Sequence, residues 1–286
     1  MRSDALRTAH EPILTEEDLC LWNAWSRAAL AHARTRLHAR RVDEARRIAV
    51  DAMTADQSAH VDDWYVGWSA GKDSTALVHL LRVDLGMDDI AVMSVKDDLD
   101  FPGEEEYLTR WATAWGIRVD IVRPRFSLQD LLAARGEDLD ASEDFHGRAA
   151  ELSREGFYPI IDEYVKRTGR NRAFLGLRAE ESFGRSRNVA MNGVTYTRKS
   201  DGVTVCQPLA RWTGLDVFGY LLSREIEPLH VYRCLALHHG DAGRVRKSWW
   251  VPGANTRHGG MVWLRRYYPS LHRKLCELLP SAGRYA

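Results

Sequence analysis

The chain has 286 residues, of which 45% are apolar, and its 40 basic and 40 acidic side chains give no net formal charge. This length suffices for one sizeable α/β core with an appendage, or for two small domains. The cysteines Cys20, Cys206, Cys234 and Cys276 form no C-x-x-C pair, which argues against a disulfide framework, a zinc ribbon and an iron–sulfur cluster. Because no apolar signal region and no run of about 18 apolar residues is present, we expect a cytoplasmic protein with no membrane contact.

The balanced total charge hides an uneven distribution along the chain. Residues 1–60 carry nine basic and nine acidic side chains, residues 61–159 carry ten and twenty-one, and residues 160–286 carry twenty-one and ten. A basic last part suits a polyphosphate or nucleic-acid ligand. An equally open alternative is that the acidic and basic regions pack against each other or pair between subunits.

Residues 1–60 are expected to form a helical N-terminal extension. Thr15 and Asp18 begin a stretch with helical apolar spacing, as in a capped amphipathic helix, and a second helix is predicted from Val42 to Met53. No residue in this part suggests catalysis. We favour a layer that covers the core, and the alternative is an arm that binds a second copy or a protein partner.

From residue 61 to residue 232 the pattern alternates between strands and helices. Strands are predicted in the run from Trp64 and over Ile90–Val95, Arg118–Val122 and Arg172–Leu177, a helix over Glu104–Trp115, and a hairpin over Val194–Val205. The expected fold is an α/β, Rossmann-like, mostly parallel sheet with helices on both faces. Ligands of such sheets bind at the carboxyl ends of the strands. Residues 124–160 are less regular, and we expect helical excursions and loops there.

The first strand runs into a small polar loop that contains Gly71 and Lys72, and Ala76–Leu81 continues with helical apolar spacing. Backbone N–H groups and the dipole at the start of a helix bind anions, and a lysine adds positive charge. Asp73 lies where the G-x-x-x-x-G-K-[ST] loop needs Ser or Thr, so this other phosphate loop is excluded. The pattern therefore predicts a phosphate site of a different kind.

Polar segments also follow the second and fourth strands. The second strand precedes the acidic stretch Lys96–Glu105, which could hold a divalent cation or ribose hydroxyls, or could simply be the acid-rich first turn of a helix. The fourth strand precedes Gly176–Arg187, which contains two regularly spaced arginines, Arg178 and Arg185. Because a guanidinium binds phosphate or sulfate oxygens in two places, we expect this segment to face the ligand.

These segments together resemble the phosphoadenosine phosphosulfate (PAPS) reductase-like family of PP-loop ATP pyrophosphatases (adenine nucleotide alpha hydrolase-like). Ser69–Ser74 is similar to its S-G-G-K-D-S loop, and the stretch around Asp98 and Phe101 to its D-[ST]-[GD]-x-x-F-P-E-T segment. Gly176–Arg185 is similar to G-x-R-x-x-E-S-x-x-R, and Pro208–Leu221 to P-L-x-x-W-x-x-x-D-V-W-x-Y-[IL]. The resemblance implies a PP-loop (HUP-type) nucleotide-binding domain over residues 61–232, with a basic aromatic region over residues 233–286.

The resemblance also implies a chemistry and a set of site residues. The expected reaction uses ATP with Mg²⁺, cleaves the α–β bond, adenylates an unidentified acceptor and releases pyrophosphate. The implied catalytic residues are Lys72, Asp73, Arg178 and Arg185. The implied nucleotide contacts are Ser69, Ala70, Gly71, Lys72, Asp73, Ser74, Thr75, Asp98, Glu181 and Ser182, and Mg²⁺ is assigned to Asp73 and Asp98. Ala70 replaces the second glycine of the loop, and we expect it to require a negative φ.

The C-terminal part departs from the family pattern. The nucleophilic cysteine of an E-C-G-L-H tail is missing, and Trp263–Pro269 resembles a family segment whose preceding G-C-x-x-C-P loop has no counterpart here. A sulfonucleotide reductase that uses Cys206 or Cys234 remains an alternative, as does a nucleotide-dependent module that binds nucleic acid or a protein complex through the basic aromatic region. His230, Cys234, His238 and His239 are a candidate zinc cluster on one helix face, or else ordinary histidines.

Overall fold

The computed structural model describes residues 11–55, 60–96, 100–123, 158–238, 240–243, 245, 259–278 and 283. Its sheet consists of β1 (Trp64–Gly67), β2 (Ala91–Val95), β3 (Val119–Val122), β4 (Arg172–Phe174), β5 (Thr195–Thr197) and β6 (Thr204–Cys206). The spatial order is β3-β2-β1-β4-β6-β5. All neighbouring pairs are parallel except β5 with β6, which form the predicted antiparallel hairpin. The strand order reverses between β1 and β4, which is where open α/β sheets bind ligands.

The helices of the described chain are α1 (Glu16–Ala33), α2 (Arg36–Thr54), α3 (Lys72–His79), α4 (Glu104–Ala114), α5 (Tyr158–Thr168), α6 (Phe183–Asn192), α7 (Gly214–Leu222), α8 (Met261–Tyr267) and α9 (Pro269–Leu278). Within the described ranges, no helix has the length and apolar character needed to cross a membrane. The predicted stretch of residues 124–160 lies outside the described residues except for its last three, which begin α5.

Alternate residues of the central strand β1 point to opposite faces of the sheet. Trp64 and Val66 belong to the larger apolar core, and Trp64 stacks on Phe174 of β4 with ring centroids 4.3 Å apart. Tyr65 points to the other face and meets Tyr164 of α5, with ring centroids 5.5 Å apart. Because both faces are covered, β1 carries apolar side chains on both of its sides. The expected Rossmann-like, mostly parallel sheet with helices on both faces is confirmed.

Two predicted boundaries differ from the structure by more than one residue. The fourth strand was expected to reach Leu177, but β4 ends at Phe174. Leu175 still donates a backbone hydrogen bond to Cys206 of β6, and the chain then passes so close to α3 that a Cβ on Gly176 would lie 3.0 Å from the backbone of Asp73. The second helix begins at Arg36 rather than Val42, because the hydroxyl of Thr35 accepts a hydrogen bond from the backbone N–H of His38 and caps the helix there.

The N-terminal helices form a layer that covers the core, which is the arrangement that the sequence analysis favoured. Trp22 and Trp25 of α1 meet Phe218 of α7 edge-on, with ring centroids 5.8 and 6.0 Å apart. A Cβ on Gly219 of α7 would lie 3.0 Å from the carbonyl oxygen of Ala29, so the two helix backbones are in close contact. These contacts make α1 and α2 a packed layer on α7.

The buried carboxylate of Asp18 fastens this layer to the C-terminal part of the chain. One of its oxygens accepts hydrogen bonds from the backbone and hydroxyl of Thr15 and so caps α1. The other oxygen accepts from the backbone N–H groups of Leu235 (2.9 Å) and Ala236 (2.8 Å) and from the hydroxyl of Tyr267 (2.7 Å). Burial alone would raise the pKa of Asp18, but these hydrogen bonds outweigh it and lower the pKa below the ordinary value of 3.8.

We therefore expect Asp18→Ala to lower the free energy of unfolding by about 2–4 kcal/mol, since it leaves several buried donors without an acceptor. Urea denaturation at pH 7 measures this loss. Because the folded-state pKa is lowered, the contribution is complete above a pH of about 4 and disappears as the pH falls through the folded value. The difference between the two proteins should thus shrink in acid.

Asp51→Ala is the control, because Asp51 is an exposed carboxylate in the neighbouring helix α2. It should leave the unfolding curve nearly unchanged. Equal losses for the two variants would contradict the role given to Asp18.

Candidate active site

The loop after β1 is held in shape by its own hydroxyl groups. The backbone N–H of Ser69 donates to Ser74 Oγ at 3.1 Å, and Ser74 Oγ donates to the carbonyl of Gly71 at 3.0 Å. The indole Nε1 of Trp68 donates to Thr75 Oγ1 at 3.0 Å. Thus Ser74 and Thr75, which were expected to contact the nucleotide, fasten the loop to the first turn of α3.

Ala70 and Gly71 form the tip of this loop. Ala70 has φ = +57° and is fully buried, so the expectation that an alanine here requires a negative φ is wrong. The left-handed conformation costs an alanine about 1–2 kcal/mol, which the surrounding hydrogen bonds offset. Gly71 has an ordinary φ of −72°, but a Cβ there would lie 3.2 Å from Ser69 Oγ and 3.4 Å from the Tyr232 hydroxyl. A glycine is needed here because a Cβ has little room, and not because of the backbone conformation.

Lys72 opens α3, and its side chain is buried. Its ammonium Nζ lies 3.1 Å from Asp73 Oδ2 and 3.3 Å from the carbonyl oxygen of Val245, and it lies 5.1 Å from the centroid of the Tyr232 ring. The backbone N–H of Lys72 donates to the Tyr232 hydroxyl at 3.0 Å. Burial, with a smaller effect from Asp73, raises the pKa of Tyr232 far above its ordinary value, so this hydroxyl stays protonated. Sequence reasoning missed Tyr232, whose position in the chain gives no sign of this contact.

A buried ion pair joins the loop to the segment after β4. The Nε of Arg178 lies 2.5 Å from Asp73 Oδ1, and its Nη1 lies 2.6 Å from Glu180 Oε2. Arg178 is 1% exposed, and Nη1 also approaches the carbonyl oxygen of Trp212 at 3.4 Å. Burial alone would raise the pKa of Asp73, but the charges of Lys72 and Arg178 outweigh it and hold the pKa below its ordinary value. Asp73 is therefore ionised at neutral pH.

The remaining predicted residues after β4 form a local group. Glu181 accepts from the backbone N–H of Arg178 at 3.3 Å and pairs with the guanidinium of Arg185. Ser182 caps α6 by accepting from the backbone N–H of Arg185 at 3.2 Å. Arg185 is the more accessible arginine, with 37% of its side chain exposed. Arg178 thus contacts the loop through its side chain. Glu181, Ser182 and Arg185 contact one another and the backbone N–H of Arg178.

The loop fits an anion, and the fit to a divalent cation depends on Asp73. Among the described residues, the backbone N–H groups of Ala70 and Gly71 have no hydrogen-bond partner, and they precede a helix whose dipole favours negative charge. Asp73 offers ionised oxygens of the kind that Mg²⁺ prefers, although Lys72 and Arg178 contact both. Asp98, the second expected Mg²⁺ ligand, lies outside the described residues.

The candidate zinc cluster near residue 234 does not share a helix face. His230 begins a 3₁₀ turn that ends at Arg233, and a second such turn covers Ala236–His238, so the α-helical spacing expected there is wrong. Cys234 is buried between the two turns. His239 and the side chain of His238 lie outside the described residues.

The described aromatic residues of the basic C-terminal region are packed rather than available for stacking. Trp263, Tyr267 and Tyr268 are 4%, 0% and 5% exposed and belong to the larger core. Their neighbours Arg265 and Arg266 are exposed on α8. Arg273 and Lys274 are exposed on α9. The basic and aromatic residues between α7 and α8 lie mostly outside the described residues, among them Arg244, Arg246, Lys247, Trp249, Trp250, Arg257 and His258.

We expect Arg178→Met to lower the free energy of unfolding by about 3–5 kcal/mol, because it leaves the Asp73 carboxylate buried beside only one cation. Combined with Asp73→Asn, it should cost less than the sum of the two single changes, and urea denaturation of all four proteins gives the coupling. Arg198 and Asp201, an ion pair at 2.8 Å in the β5–β6 hairpin, serve as the control with a coupling of about 0–1 kcal/mol. A coupling between Arg178 and Asp73 no larger than this would contradict the account.

A comparison with solved structures finds similar chains at low sequence identity. FMN adenylyltransferase from Candida glabrata in complex with ATP gives a TM-score of 0.50 at 12% identity, over 79% of this chain and 70% of that chain. Phosphoadenylyl-sulfate (PAPS) reductase from Candida auris gives 0.49 at 16% identity, over 65% and 81%. The U34-tRNA thiolase NcsA from Methanococcus maripaludis gives 0.43 at 14% identity, over 85% and 79%. A comparison with curated proteins finds no match.

The family comparison covers the part of the chain that contains the site. The model of the phosphoadenosine phosphosulfate reductase domain matches residues 64–235, which is more than half of the 286 residues. The match begins at β1, includes the loop, Asp73 and Arg178, and ends just after Tyr232. The resemblance inferred from the motifs is confirmed, and the chain belongs to the phosphoadenosine phosphosulfate reductase domain family of PP-loop proteins.

Proposed function

We propose that this chain is an enzyme that binds ATP with Mg²⁺ and transfers the adenylyl group to an acceptor, with release of pyrophosphate. The observation that carries the proposal is the loop before α3, where N–H groups of Ala70 and Gly71 and the buried charge of Lys72 meet at a helix N-terminus. Support also comes from the family and from the fold shared with an adenylyltransferase solved with ATP.

In this reaction an acceptor oxygen attacks the α-phosphorus, the α–β bond breaks, and pyrophosphate leaves with the bonding electrons. Negative charge therefore builds up on the departing pyrophosphate. The loop N–H groups, the α3 dipole and Lys72 are fixed before the reaction, and positioned donors of this kind stabilise such charge by a few kcal/mol each. When bound, Mg²⁺ would neutralise charge on phosphate oxygens, and Asp73 with Asp98 would hold it.

The arginines have different roles in this proposal. Because the guanidinium of Arg178 already contacts Asp73 and Glu180, we assign it as a positioning residue that keeps Asp73 ionised and oriented. Arg185, with its more exposed guanidinium, is the better candidate for contact with the nucleotide. Glu181 and Ser182 then act through Arg185 and the start of α6.

The two alternatives have less support. A sulfonucleotide reductase needs a reactive thiolate, but burial raises the pKa of Cys206 to about 12 and that of Cys234 well above 9.0. Buried thiols of this kind are poor nucleophiles at neutral pH. A module that binds nucleic acid by stacking would need exposed rings, and the described aromatic residues of the C-terminal region are buried.

Lys72→Ala should lower the rate of pyrophosphate release from ATP and Mg²⁺ by roughly 10²–10³-fold, since it removes a fixed charge next to the leaving group. The assay follows pyrophosphate and AMP with water and with candidate acceptors. Lys199→Ala, in the exposed turn of the β5–β6 hairpin, is the matched control and should retain the full rate. Full turnover by a folded Lys72→Ala variant would remove the loop from the mechanism.

A variant without cysteines separates adenylyl transfer from redox chemistry. We expect the combination of Cys20→Ser, Cys206→Ala, Cys234→Ala and Cys276→Ser to release pyrophosphate at a rate within about threefold of the wild type, because no thiol takes part in the proposed step. Circular dichroism checks that the variant is folded. Loss of pyrophosphate release in a folded variant would contradict this expectation, and reduction of a sulfonucleotide by the wild type that is lost in the variant would favour the reductase alternative.

A further inference from the structure

Two histidines of the N-terminal layer meet one aspartate of the nucleotide-binding domain. His32 Nε2, near the end of α1, lies 2.7 Å from Asp216 Oδ1. His38 Nδ1, in the first turn of α2, lies 3.4 Å from the same oxygen. One ligand atom from each of the three residues lies within 4.8 Å of the others. Three separate helices thus contribute potential metal ligands to one point.

Asp216 is oriented by its own helix. Its Oδ2 accepts hydrogen bonds from the backbone N–H and the hydroxyl of Thr213, both at 2.8 Å, and so caps the start of α7. Oδ1 is left facing the two imidazoles.

Hydrogen bonding within the cluster does not satisfy His38. Its side chain is only 5% exposed, and its Nε2 is buried without a hydrogen-bond partner among the described residues. Its Nδ1, the ring nitrogen that faces Asp216 Oδ1, is the one that an ion at the cluster would bind. A histidine directed at a charged carboxylate, with a second histidine beside it, is the donor set that binds zinc and related divalent ions in proteins.

We propose that His32, His38 and Asp216 bind a divalent transition-metal ion of the zinc class, which fastens α1 and α2 to the start of α7. Four-coordinate zinc with bonds of about 2.0–2.1 Å places its ligand atoms about 3.3 Å apart. The present distances of 2.7 and 3.4 Å from Asp216 Oδ1 need only small side-chain movements to reach that spacing. His32 is 18% exposed, so solvent reaches this side of the cluster, where a water would complete the coordination.

The cluster also adjoins the contacts that hold Arg178. The carbonyl oxygen of Trp212 lies 3.4 Å from Arg178 Nη1, and the backbone N–H of Gly214 donates to Glu180 Oε2 at 2.7 Å. Trp212 and Gly214 flank Thr213, whose partner is Asp216. A metal ion at Asp216 would therefore stabilise the turn at Trp212–Gly214, which contacts Arg178 and Glu180, without contacting the nucleotide.

The experiment measures zinc directly on the full chain, so it does not depend on any enzymatic activity. The protein is stripped with a chelator, dialysed against Zn²⁺ or Co²⁺, and analysed by mass spectrometry for metal content and by visible absorption for Co²⁺ geometry. We expect one equivalent of Zn²⁺, tetrahedral Co²⁺ absorption and a higher melting temperature with metal. Since losing an outer-shell partner alone costs 10–100-fold in metal affinity, removal of a ligand should weaken binding by at least about 10²-fold.

The ligand variants are His32→Gln, which alters a partly exposed residue, and the double variant with His38→Gln. His230→Gln is the matched control, because His230 is a partly exposed histidine outside the cluster that contacts Glu11. The proposal requires loss of the bound metal and of the thermal shift in His32→Gln, with both retained in His230→Gln. A wild-type protein that binds no more Zn²⁺ than the folded His32→Gln variant would overturn it, as would metal that is lost only with His230.

Discussion

The ion pair between Arg178 and Asp73 is the contact on which the rest of the site depends. It joins the loop after β1 to the segment after β4, two neighbouring strands on either side of the point where the strand order reverses. The approach is close, because Gly176 leaves room for the backbone of Asp73 only by lacking a Cβ. Breaking a buried pair costs several kcal/mol, since the remaining charge has no solvent to stabilise it. The loop, α3 and the start of α6 are therefore held as one unit.

Two aspartates, Asp18 and Asp216, connect the helices around this unit to distant segments of the chain, and they do so in the same way. Each caps its own helix with one carboxylate oxygen and contacts a distant segment with the other. Asp18 connects α1 to Leu235, Ala236 and Tyr267, and Asp216 connects α7 to the histidines of α1 and α2. The N-terminal layer thus contacts α7, which follows the turn that contacts Arg178, and it also contacts the C-terminal helix α8. It is connected to the site through hydrogen bonds as well as through apolar packing.

The sequence predicted best those features of the fold that depend on residues close to one another in the chain. The order of strands and helices, the capping of α1 by Thr15 and Asp18, and the β5–β6 hairpin follow from neighbouring residues alone. The site residues Lys72, Asp73 and Arg178 were found by their order in recognisable motifs.

What could not be predicted depends on contacts between distant segments. Nothing near Tyr232 in the chain indicates that its hydroxyl accepts from Lys72, 160 residues away. Local reasoning gave Ala70 a negative φ, but the hydrogen bonds around the loop hold it in the left-handed region. The motifs suggested that Arg178 grips the ligand directly, whereas its guanidinium lies on Asp73 and Glu180. The meeting of His32 and His38 with Asp216 likewise appears only once the helices are packed.

The central claim is that the loop before α3 binds the phosphates of ATP. A crystal structure of the protein with Mg²⁺ and an ATP analogue that cannot be cleaved between the α- and β-phosphates tests it most directly. The account predicts β- and γ-phosphate oxygens within hydrogen-bond distance of the backbone N–H groups of Ala70 and Gly71, with Lys72 beside them. An analogue bound elsewhere, with this loop making no phosphate contact, would contradict it.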